Sequence, residues 1–438
     1  MARSSGDRRP DRCRFSKARD PRGARLARVA TVRRPEHPLQ RLRRRLPRVV
    51  SRGRGVTRGR TNEAFPINAP ITSLVSRRIV EGGSRQPRAP ELLIHRAAER
   101  GVFPLIYRVL LGREGELPHA ARRYWIEHGA RLGLYRTELA RVHEALEHIT
   151  PVVVLKGEPL SVLLYGDPRL RNTTDLDLLS APESLPQAIT ALAELGYRPT
   201  DGPKAKTWAS NQCALLHETY GTLIELHWRI AFPYLPSPEI SQLLRETIAV
   251  EIGDRTYRSL RPELLFFQLC YHFHQHRGFL KGLLDITGWI DRFESSADLD
   301  EIRAMADRLG LNGLIQWPLH VLNLFTGHKS RLYEPTADPF VRAWAAWTAA
   351  KLERDFIELR PRTRVERWLD EQSFGAKLVT SMLQGASMTV ADGIFPKIST
   401  AVRPVIFGPH RLGRGLFGAL ERLGAVDRDR LYESRILG

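Results

Sequence analysis

The chain has 438 residues, a formal net charge of +20, and ordinary fractions of hydrophobic (42%) and charged (26%) residues, which indicates a globular protein of two or three domains. Its three cysteines, Cys13, Cys213 and Cys270, lie far apart without a CxxC pair. This spacing argues against a disulfide framework or a cysteine zinc site and favours a reducing, cytoplasmic setting. No apolar run approaches the roughly 18–20 residues that span a bilayer, and the N-terminus lacks the apolar segment of a secretory signal.

The basicity belongs to one segment. Residues 1–60 hold 21 Lys and Arg against 4 Asp and Glu, which leaves 47 against 44 for the rest of the chain. Such a segment buries too little apolar surface to offset its ordering entropy, so we expect it to be disordered. It is either a phosphate-binding arm that makes weak contacts with RNA or membrane surfaces, or a solvated extension without a selected role, and we favour the extension.

Helical periodicity begins near Pro90 and predicts an all-helical N-terminal region over 85–150, ending in a helix over about 118–148. Residues 151–257 change to an α/β pattern. A strand over 151–156 is followed by Gly157 and a short helix, Leu160 to Tyr165. The remaining predicted elements of this region are a strand at 175–179, a helix at about 183–195, and strands at 213–217 and 223–228.

Two carboxylates mark the second of these strands. Asp175 and Asp177 point to one face because side chains alternate along a strand, and Leu176 and Leu178 point into the core. Carboxylates held so close repel each other unless a cation lies between them. Their hard oxygen ligands suit Mg²⁺ bound beside substrate phosphates. The pair therefore predicts phosphoryl or nucleotidyl chemistry.

A third acid strengthens this interpretation. Glu225 shares one face of its predicted strand with His227, so it would complete a three-carboxylate cluster that holds two Mg²⁺ ions. The alternative for Glu225 is a solvent-facing strand residue. Two other DxD sequences lack this context: Asp298 and Asp300 open a helix and serve as cap and dipole partners, and the pair at 427 and 429 has no apolar flank.

The motifs LKGxxL from Leu155, YGDxxxR from Tyr165, DLDLL from Asp175 and ELHW from Glu225 resemble the uncharacterised nucleotidyltransferase family of the polymerase-β-like superfamily. The resemblance covers about 151–290. It implies that Gly157 begins a loop whose backbone amides face a nucleoside triphosphate, and that Asp175, Asp177 and Glu225 bind the metal. Two features depart from the wider superfamily: Glu158 stands where a small residue is usual, and the spacing from Gly157 to Asp175 is long.

Two cations near these motifs have alternative roles. Lys156 either reaches a phosphate as a point charge or is a solvated residue at a strand end. Arg171 either contacts phosphate, which its position on the loop favours, or forms a structural ion pair with Asp167 or Asp177.

The helical region over 258–375 is predicted from its periodicity, which is strongest from Leu264 through Ile290. On a helix, His272 and His276 share a face and could ligate zinc, but the absence of further ligands favours buried histidines that line the cleft. By resemblance, Lys281 and Asp285 form a pair near the nucleotide, and the alternative is an ion pair between residues four apart. The tail over 376–438, with a short helix near 415–423, has no predicted role.

The expected fold is α+β, with a mixed-sheet nucleotidyltransferase palm flanked by helical N-terminal and C-terminal regions. The expected activity is transfer of a nucleoside monophosphate from a nucleoside triphosphate to an unidentified hydroxyl acceptor, with pyrophosphate released. A small molecule, a protein or an RNA could supply the hydroxyl. The alternatives are a phosphotransferase that uses the same metal site, an RNA-directed enzyme that uses residues 1–60, and a non-catalytic scaffold in which Glu158 blocks the triphosphate loop.

Overall fold

The computed structural model describes residues 90–114, 118–200, 211–231, 235–335 and 339–354. The chain divides into two units, residues 1–56 and 57–438, and all described residues belong to the second. The predicted features of residues 1–60 and 376–438 lie outside the described residues. The helices and strands are α1 Pro90–Glu99, α2 Phe103–Glu114, α3 His119–Leu146, β1 Val153–Val154, α4 Gly157–Tyr165, β2 Leu176–Leu179, α5 Leu185–Glu194, β3 Tyr197–Pro199, β4 Gln212–His217, β5 Leu223–His227, α6 Ile240–Arg245, β6 Thr247–Ile252, β7 Arg255–Leu260, α7 Pro262–Gln275, α8 Leu280–Phe293, α9 Leu299–Leu309, α10 Asn312–Thr326 and α11 Pro339–Leu352.

The N-terminal helices form as their periodicity predicts. The longest of them, α3, has 28 residues and follows Pro118, whose fixed φ suits the start of a helix. Its buried side chains include Leu132, Tyr135, Leu139 and Val142, at spacings of three and four residues that place them on one face. This face packs against the sheet and brings α3 alongside the predicted site.

The sheet is mixed, as expected. Its strand order is β1-β2-β5-β4-β3, and β2 runs parallel to β5 while the other neighbouring pairs are antiparallel. The short strand β3 and the two-stranded sheet of β6 and β7 were not predicted from the sequence. A β6–β7 hairpin lies beyond the predicted strands and leads directly into α7. The α+β class is confirmed, with helices before and after the sheet in the chain.

Two apolar cores lie on opposite faces of this sheet. Val153 and Leu179 belong to the core that the C-terminal helices share, whereas Val154, Leu176 and Leu178 belong to the core against α3 and α5. The alternation of strand side chains produces this division. It also directs the odd-numbered side chains of β2, including Asp177, toward the face that the C-terminal helices cover.

The C-terminal helices differ from the prediction in one respect. The periodic stretch from Leu264 to Ile290 forms two helices, α7 and α8, because the chain turns at Arg277 and Gly278, both of which have positive φ. The prediction for Asp298 is confirmed, since its carboxylate caps α9 by accepting from the backbone amides of Asp300 and Glu301. Among the described helices, none combines the length and apolarity that a membrane crossing requires.

Candidate functional site

Adjacent parallel strands carry the acidic residues. In the register of β2 and β5, Asp177 is the partner of Glu225 and Leu179 is the partner of His227. Parallel neighbours in register lie about 5 Å apart, so the side chains of Asp177 and Glu225 project together from one face. The structure thus places two of the three predicted acids side by side, and His227 follows two residues beyond Glu225 on the same face.

Asp177 is the centre of this group. Its side chain is fully buried, and its Oδ1 accepts hydrogen bonds from Lys156 Nζ at 2.7 Å and from His227 Nε2 at 3.2 Å. Its Oδ2 has no hydrogen-bond partner among the described residues. A buried carboxylate oxygen without a partner is costly unless a ligand satisfies it. The protein therefore fixes one carboxylate oxygen of Asp177 and leaves the other available to a ligand.

The charges of these three groups are interdependent. Burial disfavours the ionised form of Asp177, but Lys156 and His227 outweigh burial and hold the pKa of this carboxyl well below its usual range. Burial likewise opposes the charge of Lys156, yet Asp177 and Asp175 raise the Lys156 pKa. Burial also opposes the charge of His227, but hydrogen bonds to Asp177 and Glu225 raise the His227 pKa. Lys156 is not a solvated strand-end residue.

Asp175 lies just before β2 and differs in its electrostatic state. Its Oδ1 accepts a hydrogen bond from Thr174 Oγ1 at 3.2 Å. Burial and the charge of Asp177 raise the pKa of Asp175, and Lys156 offsets only part of this effect. The negative charge of Asp175 is therefore undercompensated. This is the condition in which a carboxylate gains most from a divalent cation.

One group of described side chains has the geometry to hold a metal ion. Ligand atoms of Asp177, Glu225 and His227 all lie within 4.8 Å of one another. Glu225 is half-buried, and its Oε2 lies 3.7 Å from His227 Nε2, so it is not the solvent-facing residue of the alternative prediction. Asp175 contributes to the same electrostatic field but stands outside this tight group. Hard oxygen donors dominate it, which fits Mg²⁺ or Mn²⁺.

A glycine turn follows β1 beside these acids. Gly157 has φ +74°, a left-handed conformation that only glycine adopts without strain, and α4 begins at this residue. The first amides of a helix have no acceptor within the helix, so this end attracts anions. A pocket is lined by residues of the turn, of α3 and of the acidic strand: Tyr135, Arg136, Leu139, Val154, Lys156, Gly157, Glu158, Thr173, Asp175, Leu176 and Asp177.

Glu158 is neutralised by a residue that the sequence prediction did not identify. Its buried carboxylate forms a two-pronged ion pair with Arg136 of α3, with Nε–Oε2 at 2.9 Å and Nη2–Oε1 at 2.6 Å. The acid that departs from the usual small residue is thus tied to the neighbouring helix. Its charge is balanced by a guanidinium whose side chain remains half exposed at the pocket.

Arg171 is buried and lies behind the pocket. Its guanidinium pairs with Asp285 of α8, with Nε–Oδ2 and Nη2–Oδ2 both at 3.1 Å, and not with Asp167 or Asp177. Asp285 also accepts a hydrogen bond from Tyr165 at 2.8 Å, and Asp167 pairs with Arg169 instead. The ion-pair alternative was right in kind but named the wrong partners. The predicted phosphate contact of Arg171 stays a prediction.

Lys281 and Asp285 do not form the ion pair that their four-residue spacing predicts. Lys281 Nζ donates to the backbone carbonyl of Asn172 at 2.7 Å, and Asp285 is engaged by Arg171, all within the described part of the chain. Burial, with the nearby charge of Arg171, lowers the pKa of Lys281 to about 7. Lys281 of α8 therefore contacts the loop before Asp175 with an amine that is only partly protonated near neutral pH.

The histidines of α7 lie near the site without forming a metal group of their own. The rings of His272 and His276 pack edge to face at 4.7 Å, and both contact Phe279. Burial and the charge of Lys156 lower the pKa of His276 to about 4 and that of His272 well below its usual value. Both rings are therefore neutral near Lys156, and the prediction that these histidines line the cleft stays a prediction.

His227 and Arg136 were not predicted as site residues from the sequence. For His227 a signal was present, because it alternates with Glu225 along β5 and therefore shares its face. For Arg136 there was none, since it lies 22 residues from Glu158 on a helix rich in arginine.

The model of a family described as uncharacterised nucleotidyltransferase matches residues 86–327, more than half of the chain. Among solved structures, the antibiotic-resistance factor ANT(2'')-Ia, studied in solution for its substrate-regulated conformation dynamics, is similar at 13% identity and a TM-score of 0.30. That match covers 41% of this chain and 91% of the other. No curated protein matches the sequence.

Proposed function

Because the chain belongs to the uncharacterised nucleotidyltransferase family, we propose that it moves a nucleoside monophosphate from a nucleoside triphosphate to a hydroxyl acceptor in a Mg²⁺-dependent reaction. The acceptor oxygen forms a bond to the α-phosphorus, the bond from that phosphorus to the β-phosphate oxygen breaks, and pyrophosphate leaves. The acceptor hydroxyl releases its proton to solvent in this exchange. The class of transferase follows from the family, and the metal, the products and the site residues are the proposal.

A single observation carries it. Asp177 Oδ2 is fully buried and has no hydrogen-bond partner among the described residues, while Asp175 and Glu225 add further carboxylates beside it. These residues fit divalent metal, and Asp175, Asp177 and Glu225 would hold two Mg²⁺ ions. The chemistry that bound Mg²⁺ supplies is neutralisation of the triphosphate and a lower pKa for the attacking hydroxyl.

The chain's own cations and amides bind the triphosphate in this proposal. Lys156 lies just before the N-terminus of α4, where Asp177 holds its ammonium group. Its positive charge is therefore already in place at the pocket before a triphosphate binds. Gly157 lines the same pocket, and its backbone amide, at the first position of α4, has no acceptor within the helix. Lys281 fixes the loop carbonyl of Asn172 and adds positive charge near Asp175. Arg171 holds this loop to α8 through its ion pair with Asp285.

A non-catalytic nucleotide-binding scaffold is the second candidate. The observation in its favour is Glu158, whose carboxylate is buried immediately after Gly157, where an anionic triphosphate is expected to approach. The ion pair with Arg136 balances that charge and favours the enzyme. The two candidates differ in one outcome, since a scaffold binds the nucleotide and releases no product.

The test incubates the purified chain with each nucleoside triphosphate and Mg²⁺, together with pools of small polyols, proteins and RNA. Pyrophosphate and nucleoside diphosphate are both measured. Pyrophosphate that depends on an acceptor supports nucleotidyl transfer, nucleoside diphosphate points to a phosphotransferase, and binding without either product points to the scaffold. Asp175→Ala should abolish transfer, and Asp300→Asn, in the DxD sequence that opens α9, is the matched control that should not.

A further inference from the structure

The loop between α4 and β2, residues 167–174, is fastened at almost every position. Arg171 N donates to Ser161 Oγ at 3.0 Å, Lys281 Nζ donates to the carbonyl of Asn172 at 2.7 Å, and Arg131 Nη1 donates to the side chain of Asn172 at 3.1 Å. Tyr135 donates its hydroxyl proton to the Thr174 carbonyl. Residues from three helices thus hold this loop rigidly beside the pocket.

Thr173 is the exception within this loop. Its side chain is only 3% exposed, yet its Oγ1 has no hydrogen-bond partner among the described residues. Buried hydroxyls in native proteins almost always have a partner, because desolvation without compensation destabilises the fold. The loop positions on either side of Thr173 are held by these hydrogen bonds, which do not include its hydroxyl. An unpartnered hydroxyl in a fixed position is poised for a ligand.

Thr173 also lies in the part of the pocket where a phosphate would bind. Thr173 lines the pocket together with Lys156, Gly157, Asp175 and Asp177. A Cβ atom placed on Gly157 would lie 3.8 Å from Thr173 Cγ2 and 4.0 Å from Thr173 Oγ1, so the threonine side chain lies directly against the glycine turn.

The residue after Gly157 supplies no such hydroxyl. Glu158 occupies that position, and both of its carboxylate oxygens are engaged by Arg136. A carboxylate cannot donate a hydrogen bond to a phosphate oxygen, whereas a threonine hydroxyl can. Within the described pocket, Thr173 is the hydroxyl closest to the turn that lacks a partner.

We propose that the Thr173 hydroxyl is a substrate-binding group that donates a hydrogen bond to a phosphate oxygen of the nucleoside triphosphate. This inference rests on the proposed function of the same pocket and adds a specific ligand to it. Lys156 and the Gly157 amide supply positive potential there, and Thr173 supplies a hydrogen-bond donor beside the glycine turn.

The test compares Thr173→Val, which keeps the shape and removes the hydroxyl, with Thr173→Ser, which keeps the hydroxyl. Ser180→Ala is the matched control, because Ser180 Oγ is also buried without a partner among the described residues but is not part of the pocket lining. Binding of Mg²⁺-tripolyphosphate and of a non-hydrolysable ATP analogue is measured by calorimetry. The thermal midpoint of each variant is measured without ligand.

Thr173→Val should weaken both affinities about tenfold, as expected for a lost hydrogen bond to a charged group, and Thr173→Ser should stay within about twofold of wild type. Without ligand, the thermal midpoint of Thr173→Val should be equal to or above that of wild type, because no hydrogen bond in the protein is lost. Ser180→Ala should show the same thermal behaviour with unchanged affinity.

A Thr173→Val variant that binds both probes as tightly as wild type would overturn the inference and leave the proposed function standing. A fall in its thermal midpoint with unchanged affinity would do the same, by showing a structural hydroxyl. If Thr173→Val does not fold, Thr173→Ala provides the affinity comparison. Wild-type protein that binds neither probe removes the proposed function and this inference together.

Discussion

Neutralising the two aspartates of the acidic strand should change stability in opposite directions. Asp177 is stabilised as an anion by Lys156 and His227, whereas burial and the charge of Asp177 disfavour the anionic form of Asp175. Asp177→Asn therefore removes a favourable charge, and Asp175→Asn removes an unfavourable one. In metal-free buffer near neutral pH, we expect Asp177→Asn to be less stable and Asp175→Asn to be more stable than wild type.

The size of the first effect follows from burial. The side chain of Asp177 is 0% exposed and that of Lys156 is 11% exposed, with 2.7 Å between Oδ1 and Nζ. Removing one partner of a buried ion pair costs about 3–5 kcal/mol, because the other charge stays buried without compensation. Asparagine keeps one oxygen acceptor and Asp175 remains near Lys156, so we expect about 3 kcal/mol. At about 2 °C per kcal/mol, the melting temperature falls by roughly 6 °C.

Thermal unfolding followed by circular dichroism, in EDTA and in excess Mg²⁺, measures both effects. Mg²⁺ should raise the melting temperature of wild type by binding the folded state and leave that of Asp177→Asn unchanged. Both variants should lose transfer activity. Equal melting temperatures for the two variants in EDTA, or a lower value for Asp175→Asn than for Asp177→Asn, would refute the assigned charge states.

Three further outcomes are expected. Asp285→Ala should destabilise the fold by about 3–5 kcal/mol in urea unfolding, because Arg171 is left as an unpaired buried charge. Gly157→Ala and Gly166→Ala should each lower the free energy of unfolding by about 1–2 kcal/mol, since both glycines have positive φ without a steric clash for Cβ. Calorimetry should show lost nucleotide binding for Gly157→Ala alone. Nucleotide affinity should decline as the pH rises through about 7, where Lys281 loses its proton. Lys281→Met should bind nucleotide more weakly than wild type at low pH, and its affinity should not show this decline.

Local pattern was sufficient to predict the strands that carry the acids. The two-residue period assigns Asp175 and Asp177 to one face and Leu176 and Leu178 to the other, and both leucines lie in the core against α3 and α5. Glu225 was placed by the same rule on a neighbouring strand. These predictions needed only the alternation of side chains and one correct pairing between strands.

The sequence could not reveal the strand order or the hairpin of β6 and β7 in the same way. Which strands become neighbours depends on how distant segments pack, and β2 pairs with β5 although β3 and β4 lie between them in the chain. The turn at Arg277 and Gly278 also escaped prediction, because helical periodicity continues on both sides of it.

The partners of the charged side chains mark the limit of sequence-based prediction most clearly. Arg171 and Asp285 are 114 residues apart, so the acids nearer in the sequence, Asp167 and Asp177, were predicted as partners instead. For Lys281 and Asp285, the alternative to a pair near the nucleotide was an ion pair between residues four apart on a helix. Instead, Lys281 donates to the loop before Asp175, and Asp285 pairs with Arg171 of that loop. Burial explains this outcome. A surface ion pair between residues four apart gains only a few tenths of a kcal/mol, whereas a buried aspartate and a buried arginine each require a partner. The long-range pair therefore forms at the expense of the local one, and it fixes the loop on which the candidate site depends.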